Sequence, residues 1–448
     1  FTSPRAPRRS GRSPACRPGG RIGSMTPHIS ARGRAMPASP IRKLMPVAEE
    51  AKRRGVKVFH LNIGQPDLET PAVMRARLGR ADKVFAYTPS NGTSEYLESL
   101  RFYYSRLGLE LELDELIATT GGSEALLFAF FACTGDGDDA LVVEPYYTNY
   151  NSFATMAGVR LVPLRSKGED GFHLPPREAW ERALTPRTRL VLLCNPNNPT
   201  GTVYSREELL MVASFCRDHG LFLVADEVYR EFVYDGAHSV SALSLGGFED
   251  QVILVDSLSK RYSACGIRLG SLATRNAEVY QAALRMAQGR LSPPGLAQLV
   301  ASGAVELGKE YFAAIVEEYQ GRRDLLFEGL MAIPGVFLRK PEGAFYFIAR
   351  LPIQDSEDFA RYLLAEFSHQ QSTVMVAPAP GFYATRGLGN DEVRIAYVLK
   401  KEDLTRAVEV FAAGLTAYRQ ARGLGPIEDL QEAAVAPSRR PDFFTPAV

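Results

Sequence analysis

The sequence is poor in cysteine and histidine, nearly balanced in charge and without a long apolar run, and each shortage removes a class of protein. Its five cysteines, Cys16, Cys133, Cys194, Cys216 and Cys265, are odd in number and scattered, which argues against a secreted disulfide framework and against zinc-like pairing. A reducing compartment, and with it a cytoplasmic location, is expected. The six histidines are equally dispersed, so no pair has ligand spacing and no metal is expected. A formal net charge of +1 gives no general attraction to nucleic acid or an anionic membrane. No apolar stretch approaches the roughly 18 residues of a membrane span. What is present is a chain of 448 residues with 46% hydrophobic content, long enough for a large core and a second, smaller domain.

Residues 1–24 are rich in Arg, Pro, Gly and Ser, contain no acidic residue and lack the apolar segment of a secretory signal. They read as a leader upstream of a start at Met25, with an organellar transit peptide as the alternative because such peptides are also basic and acid-poor. The stretch 426–448, with "VAPSRRPDFFTPAV", reads as a tail with little core-forming potential. Between these ends, short β-rich runs alternate with amphipathic ones: "LIATT" before "SEALLFAFFAC", "ALVVE" before "TNYNSFATMAG", "RLVLLCN" before "REELLMVASFCRDHG", then "LFLVADEV" and "QVILVDSL". That alternation predicts an α/β fold, a three-layer domain with a mostly parallel central sheet. After Arg323 the pattern changes to "VFLRK", "AFYFIAR", a helix around Ser356 to Phe367, "TVMVAP", "EVRIAYV" and a closing helix from Lys401, which predicts a smaller α+β domain. The expected division is a large domain over 75–323 and a small one over 324–425 to which 25–74 contributes.

Four segments carry chemistry. In "DSLSKRYSACGIRLG" the apolar run "QVILV" ends in small hydroxyl residues with Lys260 at its mouth, where open α/β sheets collect ligands. A lysine there, partly desolvated, acts as a nucleophile or base; Ser257 and Arg268 on either side could supply hydroxyl and guanidinium contacts to a phosphate. In "LFLVADEVYREF", Asp226 ends an apolar run, and a carboxylate there is costly to bury without a cation or donor. A protonated ring nitrogen would be such a partner; a helix cap or an acidic metal site is the bland alternative. Tyr229, three residues on, is either core packing or a donor to a ring oxygen. "NPNNPTG" follows another apolar run and is dense in turn formers, so Asn198 sits on a rigid loop from which it could donate to an anionic oxygen. "ATTGGSEALLFAF" sets Gly121, Gly122 and Ser123 at a helix start, which attracts anions, although Ser123 with the following Glu is also an ordinary capping arrangement.

Taken in order, "IGQPD", "TTGGSEA", "EPYYTNY", "NPNNPTG", "ADEVY", "SLSKRYSACGIRLG" and "EVRIAY" resemble the class I/II aminotransferases, enzymes of the pyridoxal 5′-phosphate (PLP)-dependent transferase fold type I, over about Pro40 to Leu415. The resemblance implies PLP as cofactor and transfer of an amino group from an L-amino acid to a 2-oxo acid by a ping-pong mechanism. It implies that Lys260 forms the Schiff base and shuttles the substrate proton, that Asp226 pairs with the pyridine nitrogen, and that Asn198 and Tyr229 donate to the ring oxygen. Gly122, Ser123, Ser257 and Arg268 match the phosphate cup. Tyr147 matches the ring stacked on the pyridine, with Tyr146 as the alternative register. Arg394 resembles the arginine that grips the substrate α-carboxylate in a fork, a task lysine would do poorly; Gly64 lies where the chain closes over the substrate. Tyr87 resembles a tyrosine that reaches the cofactor phosphate of a neighbouring subunit, which implies a homodimer with shared active sites.

The same scaffold also supports carbon–sulfur lysis, decarboxylation and synthase chemistry, and a PLP-sensing regulator would need a DNA-binding module that the short basic segment before Pro40 does not resemble. Donor choice stays open among aspartate, aromatic and broad neutral amino acids. Some family members place a lysine for a distal carboxylate where this chain has Ser123. Arg290 is either a substitute or a helix-end arginine satisfying carbonyls. Tyr146, Tyr147 and Tyr150 would suit an aromatic side chain or pack around the cofactor.

Overall fold

The apolar runs in the middle of the chain form, in the computed structural model, a seven-stranded sheet. Its strands are β2 (Leu116–Thr119), β3 (Asp139–Glu144), β4 (Arg160–Arg165), β5 (Thr188–Cys194), β6 (Phe222–Asp226), β7 (Val252–Ser257) and β8 (Gly270–Ala273), in the order β2-β8-β7-β6-β5-β3-β4. From β4 to β7 all neighbours are parallel, while β8 runs antiparallel to both β7 and β2. The structure describes residues 27–427 and Leu430. The expected leader at 1–24, and all of the expected tail at 426–448 except Pro426, Ile427 and Leu430, lie outside the described residues.

Strands buried on both faces need no polar alternation, and the packing of this sheet shows why. Ala140, Val142, Leu190, Leu192, Ile253 and Val255 point into one core, shared with Ala125, Leu126 and Ala129 of the helix Gly121–Cys133. Their chain neighbours Leu141, Val143, Val191, Leu193, Val252 and Leu254 point into another, shared with Leu209, Val212 and Phe215 of the helix Arg206–Asp218 and with Trp180. Helices therefore cover both faces, giving the three-layer α/β arrangement expected from the sequence.

The remaining strands form two small sheets. One has the order β12-β13-β10-β9, from β9 (Phe337–Leu338), β10 (Tyr346–Arg350), β12 (Ala377–Pro378) and β13 (Glu392–Ala396), all antiparallel. The other pairs β1 (Lys57–His60) in parallel with β11 (Ser372–Met375). The helices Lys309–Met331, Ser356–Ala365 and Lys401–Ala421 pack with these strands and with one another. The chain divides into the units Phe1–Ala35 and Met36–Val448; a helix over Ala31–Ala35 is the regular element in the described part of the first, and the three sheets belong to the second. No helix among the described residues is long and apolar enough to cross a membrane.

Three facts set up a binding place at the carboxyl ends of the parallel strands, where ligands of open α/β sheets collect. Cys194 and Asp226, the last residues of β5 and β6, are level with each other, and β7 runs on past Val255, the partner of Asp226, to Ser257, so the loops after the three strands open at the same edge. The helix Gly121–Cys133 seats its first turn on β8: a Cβ on Gly270 would lie 2.5 Å from the Asp256 carbonyl oxygen and 2.7–2.8 Å from the backbone of Gly121 and Gly122. Backbone atoms cannot swing away, so Gly270→Ala is expected to cost roughly 1–3 kcal/mol in urea unfolding. Gly289→Ala, on the helix Ala277–Arg290 with nothing within 4 Å of the new methyl, is the control, expected to be neutral or mildly stabilising.

Candidate active site

The loops after β5, β6 and β7 enclose a cavity of about 560 Å³. Eleven of the sequence-predicted residues line it: Gly64, Gly122, Ser123, Tyr147, Asn198, Asp226, Tyr229, Ser257, Lys260, Arg268 and Arg394. Tyr87 does not; it is 80% exposed.

One end is built for an anion. No side chain caps the helix Gly121–Cys133. Glu124 instead accepts from the Thr120 amide at 2.7 Å, so the capping role open to Ser123 is not the one it takes. Gly122 and Ser123 present the first turn to the cavity, where helix amides and macrodipole favour negative charge. Opposite lie Ser257 and Ser259, their hydroxyl oxygens 2.8 Å apart. Arg268, left-handed at φ 55°, completes the cup; its guanidinium donates to the Cys265 carbonyl at 2.8 Å.

The other end holds Asp226, buried at the last position of β6. Its carboxylate accepts from the Tyr150 hydroxyl at 2.7 Å and the Val228 amide at 3.4 Å. Among the described residues no basic side chain forms an ion pair with it. Burial pushes its pKa up to about 6, against the pull of these two donors, so a neighbouring cation would be strongly stabilised there.

Lys260 lies between the two ends, in the helical turn Leu258–Arg261 that follows β7. Its ammonium donates to the Gly64 carbonyl at 2.8 Å and lies 3.9 Å from the Cys265 sulfur. Loss of hydration lowers its pKa, and the Arg394 and Arg268 charges act in the same direction. Gly64 is pressed against the Tyr346 hydroxyl, where a Cβ would overlap it. Above this, Arg394 on β13 donates to the Asn198 side-chain oxygen at 3.1 Å and the Asn62 carbonyl at 2.5 Å. Among the described residues its Nε has no hydrogen-bond partner, and its guanidinium stacks 4.4 Å over the Tyr346 ring and 5.0 Å from that of Phe382. Asn198 donates in turn to the Tyr229 hydroxyl at 3.3 Å, which is 2.9 Å from the Tyr346 hydroxyl. A buried arginine with neutral partners and an open donor is ready for a carboxylate.

Tertiary contacts decide between readings left open for Tyr146, Tyr150 and Arg290, and add residues that the sequence did not single out. Tyr150 holds Asp226 rather than facing a substrate, and Tyr146 donates to Asn151 at 2.8 Å, so of the three neighbouring tyrosines Tyr147 is the one that lines the cavity. Ser259, Tyr346 and Arg42 line it as well, and the buried Asn62 carries Arg394. Arg290 donates to the Ser90 and Ala118 carbonyls at 3.0 and 3.1 Å and is not among the lining residues; it satisfies carbonyls rather than substituting for a substrate cation. For Ser259, Tyr346, Arg42 and Asn62 only tertiary contact brings them to notice.

The cavity fits PLP: an uncapped helix turn with two hydroxyls and a guanidinium for the phosphate, an amine for the aldehyde, and a buried carboxylate without a cation for the ring nitrogen. Solved structures agree. An aspartate aminotransferase from Thermus thermophilus with maleate is 32% identical with a TM-score of 0.78, matching 87% of this chain and all of that one. An alanine aminotransferase from Pyrococcus furiosus has a TM-score of 0.80 at 28% identity, again over 87% of this chain and all of that one. The fold is thus that of PLP-dependent enzymes of fold type I. The family model for aminotransferase class I and II matches residues 56–411. The aspartate/prephenate aminotransferase of Thermus thermophilus is 33% identical over 86% of this chain and 98% of its own length, and an aspartate aminotransferase of Rhizobium meliloti is 31% identical over 84% and 93%. The chain belongs to the class I and II aminotransferases: it is a PLP-dependent enzyme that treats amino donor and 2-oxo acceptor in turn by a ping-pong mechanism.

The raised pKa of Asp226 has a testable sign. Its folded-state value of about 6 exceeds the ordinary 3.8, so the folded apoprotein holds the extra proton between the two values and loses stability as pH rises through them. Relative to Asp226→Asn, the wild-type apoprotein should lose about 3 kcal/mol between pH 3 and 7. Urea unfolding of both apoproteins across that range measures the difference; parallel curves would remove the assigned penalty.

Proposed function

We propose that this aminotransferase takes its amino group from an acidic L-amino acid, aspartate first, with 2-oxoglutarate as acceptor, and that the cavity residues divide the work by position. The observation that carries the division is Lys260 between an anion cup and Asp226, with Arg394 above. When bound, PLP supplies an aldehyde that captures amines and a ring that takes up negative charge from the substrate Cα. Gly122, Ser123, Ser257 and Arg268 hold its phosphate and so fix where the reacting carbon lies. Asp226, held by Tyr150, keeps the ring nitrogen protonated. Asn198 and Tyr229 donate to the ring oxygen, and Tyr147 covers the ring face. Arg394 takes the α-carboxylate through its free donors, which leaves the Cα–H near the amine of Lys260. With its pKa lowered by burial, Lys260 can remove that proton and return it at C4′ as a positioned general base and acid. The aspartate reading draws on the relatives, three of which are an aspartate/prephenate aminotransferase, an aspartate aminotransferase and an aspartate aminotransferase solved with maleate.

The proposal includes a cytoplasmic homodimer with shared active sites. Val84, Phe85 and Tyr87 are exposed at 75%, 73% and 80%, an apolar strip that favours burial against a second copy, from which Tyr87 would reach the neighbouring phosphate. It also includes the domain division, for which the strand distribution speaks: the seven-stranded sheet falls within 116–273 and the small sheets take residues 57–60 and 337–396.

Borohydride treatment of the holoenzyme followed by peptide mass analysis should place one pyridoxyl group on the peptide containing Lys260, and Lys260→Ala should lack both the label and amino transfer. A label on another lysine would sink the assignment. Arg394→Lys should raise KM for amino acids on the order of 100-fold, because a point charge replaces a fork; an unchanged KM would remove Arg394 from the substrate.

A further inference from the structure

Among the described residues, four cationic side chains line the cavity: Lys260, Arg268, Arg394 and Arg42. In the division of work above, Lys260 takes the aldehyde, Arg268 the phosphate and Arg394 the α-carboxylate. Arg42 is left without an anion. Its guanidinium has no hydrogen bond or ion pair within the described residues, although the adjacent Lys43 is paired with Glu357.

Arg42 is held at the cavity by a built turn rather than by chance. The amides of Arg42 and Lys43 both donate to the Ser39 carbonyl, at 3.2 and 3.0 Å. Ile41 packs against the cluster of Phe172, Ile348 and Phe382. Its carbonyl accepts from the side chain of Asn62 at 2.9 Å, and the Asn62 backbone carbonyl is the one that accepts from Arg394. Asn62 is completely buried. One buried residue therefore meets the Arg394 guanidinium directly and fixes the backbone just before Arg42. Both also act on Tyr147, opposing the rise that burial imposes on its phenol, which puts them within electrostatic reach of one hydroxyl.

We propose that Arg42 is a specificity-determining residue that receives the second carboxylate of a dicarboxylic amino acid or 2-oxo acid, the substrate spanning from Arg394 to Arg42. The proposal rests on Arg394 taking the α-carboxylate and adds the group that separates acidic from neutral substrates. A neutral side chain leaves Arg42 to water; an acidic one converts it into a charge-assisted pair.

The test uses the holoenzyme as wild type, Arg42→Gln and Arg42→Lys. The ratio of kcat/KM for aspartate to that for alanine, and for 2-oxoglutarate to pyruvate, is measured together with calorimetric binding of succinate and propionate as unreactive di- and monocarboxylates. In Arg42→Gln both ratios should fall about 10- to 100-fold, the span of one or two hydrogen bonds to a charged group, mainly through KM for the acidic substrate. Succinate should weaken by a similar factor relative to propionate, and Arg42→Lys should restore part of each loss. Ratios that stay constant, because nothing changes or because all substrates fall alike, overturn the proposal, as does a wild type with no preference for dicarboxylates. A holoenzyme labelled on Lys260 but inert with every donor would instead defeat the proposed donor and acceptor, and the succinate comparison would still decide Arg42.

Discussion

A carboxylate buried at the end of an apolar strand is the constraint around which this molecule is arranged. Asp226 sits in the middle of the sheet, level with Cys194 and Val255 on its neighbours, and no basic side chain among the described residues pairs with it. Burial of such a group is tolerated only when donors or a cation meet it. Tyr150 and the Val228 amide meet it in part. On the proposed assignment, the ring nitrogen of PLP would supply the missing cation, so the burial that raises the Asp226 pKa would favour cofactor binding. The seat of Asp226 is rigid because β5, β6 and β7 are covered on both faces.

The second organising element is Asn62. It faces two ways, its side chain toward the turn at Ile41 and its carbonyl toward Arg394. Arg394 in turn reaches Asn198, and Asn198 reaches Tyr229. This line of contacts joins the small antiparallel sheet, the β5 loop and the segment after β1 into a single wall.

Much of this was legible in the sequence because the chemistry sits where apolar runs break. Asp226, Asn198 and Lys260 each follow a hydrophobic strand and interrupt it with a charge or a rigid turn, so both strand and site announce themselves together. β4 and β8 were less visible: "RLVPLR" carries a proline and only one fully buried residue, and "GSLA" is four residues long and opens on glycine. Tyr150 reads as one more aromatic on the helix Asn149–Ala157, and its hydroxyl meets Asp226 only because that helix crosses the sheet end. Asn62 and Arg42 belong to no motif; their importance comes from partners far along the chain. Ser123 was open between the phosphate cup and a helix cap, and its surroundings place it at the cavity.

The separation along the chain of the two halves of the cavity has a consequence for how the protein is made. The anion cup, Asp226 and Lys260 all fall between residues 121 and 268, and the sheet that carries them closes with β8. The contact between Asn62 and Arg394 spans 332 positions, and β1 finds β11 only after β8 has been made. A growing polypeptide therefore completes the strands of the central sheet before the contacts of Asn62 and β1 can form, and domains tend to fold as units in that order.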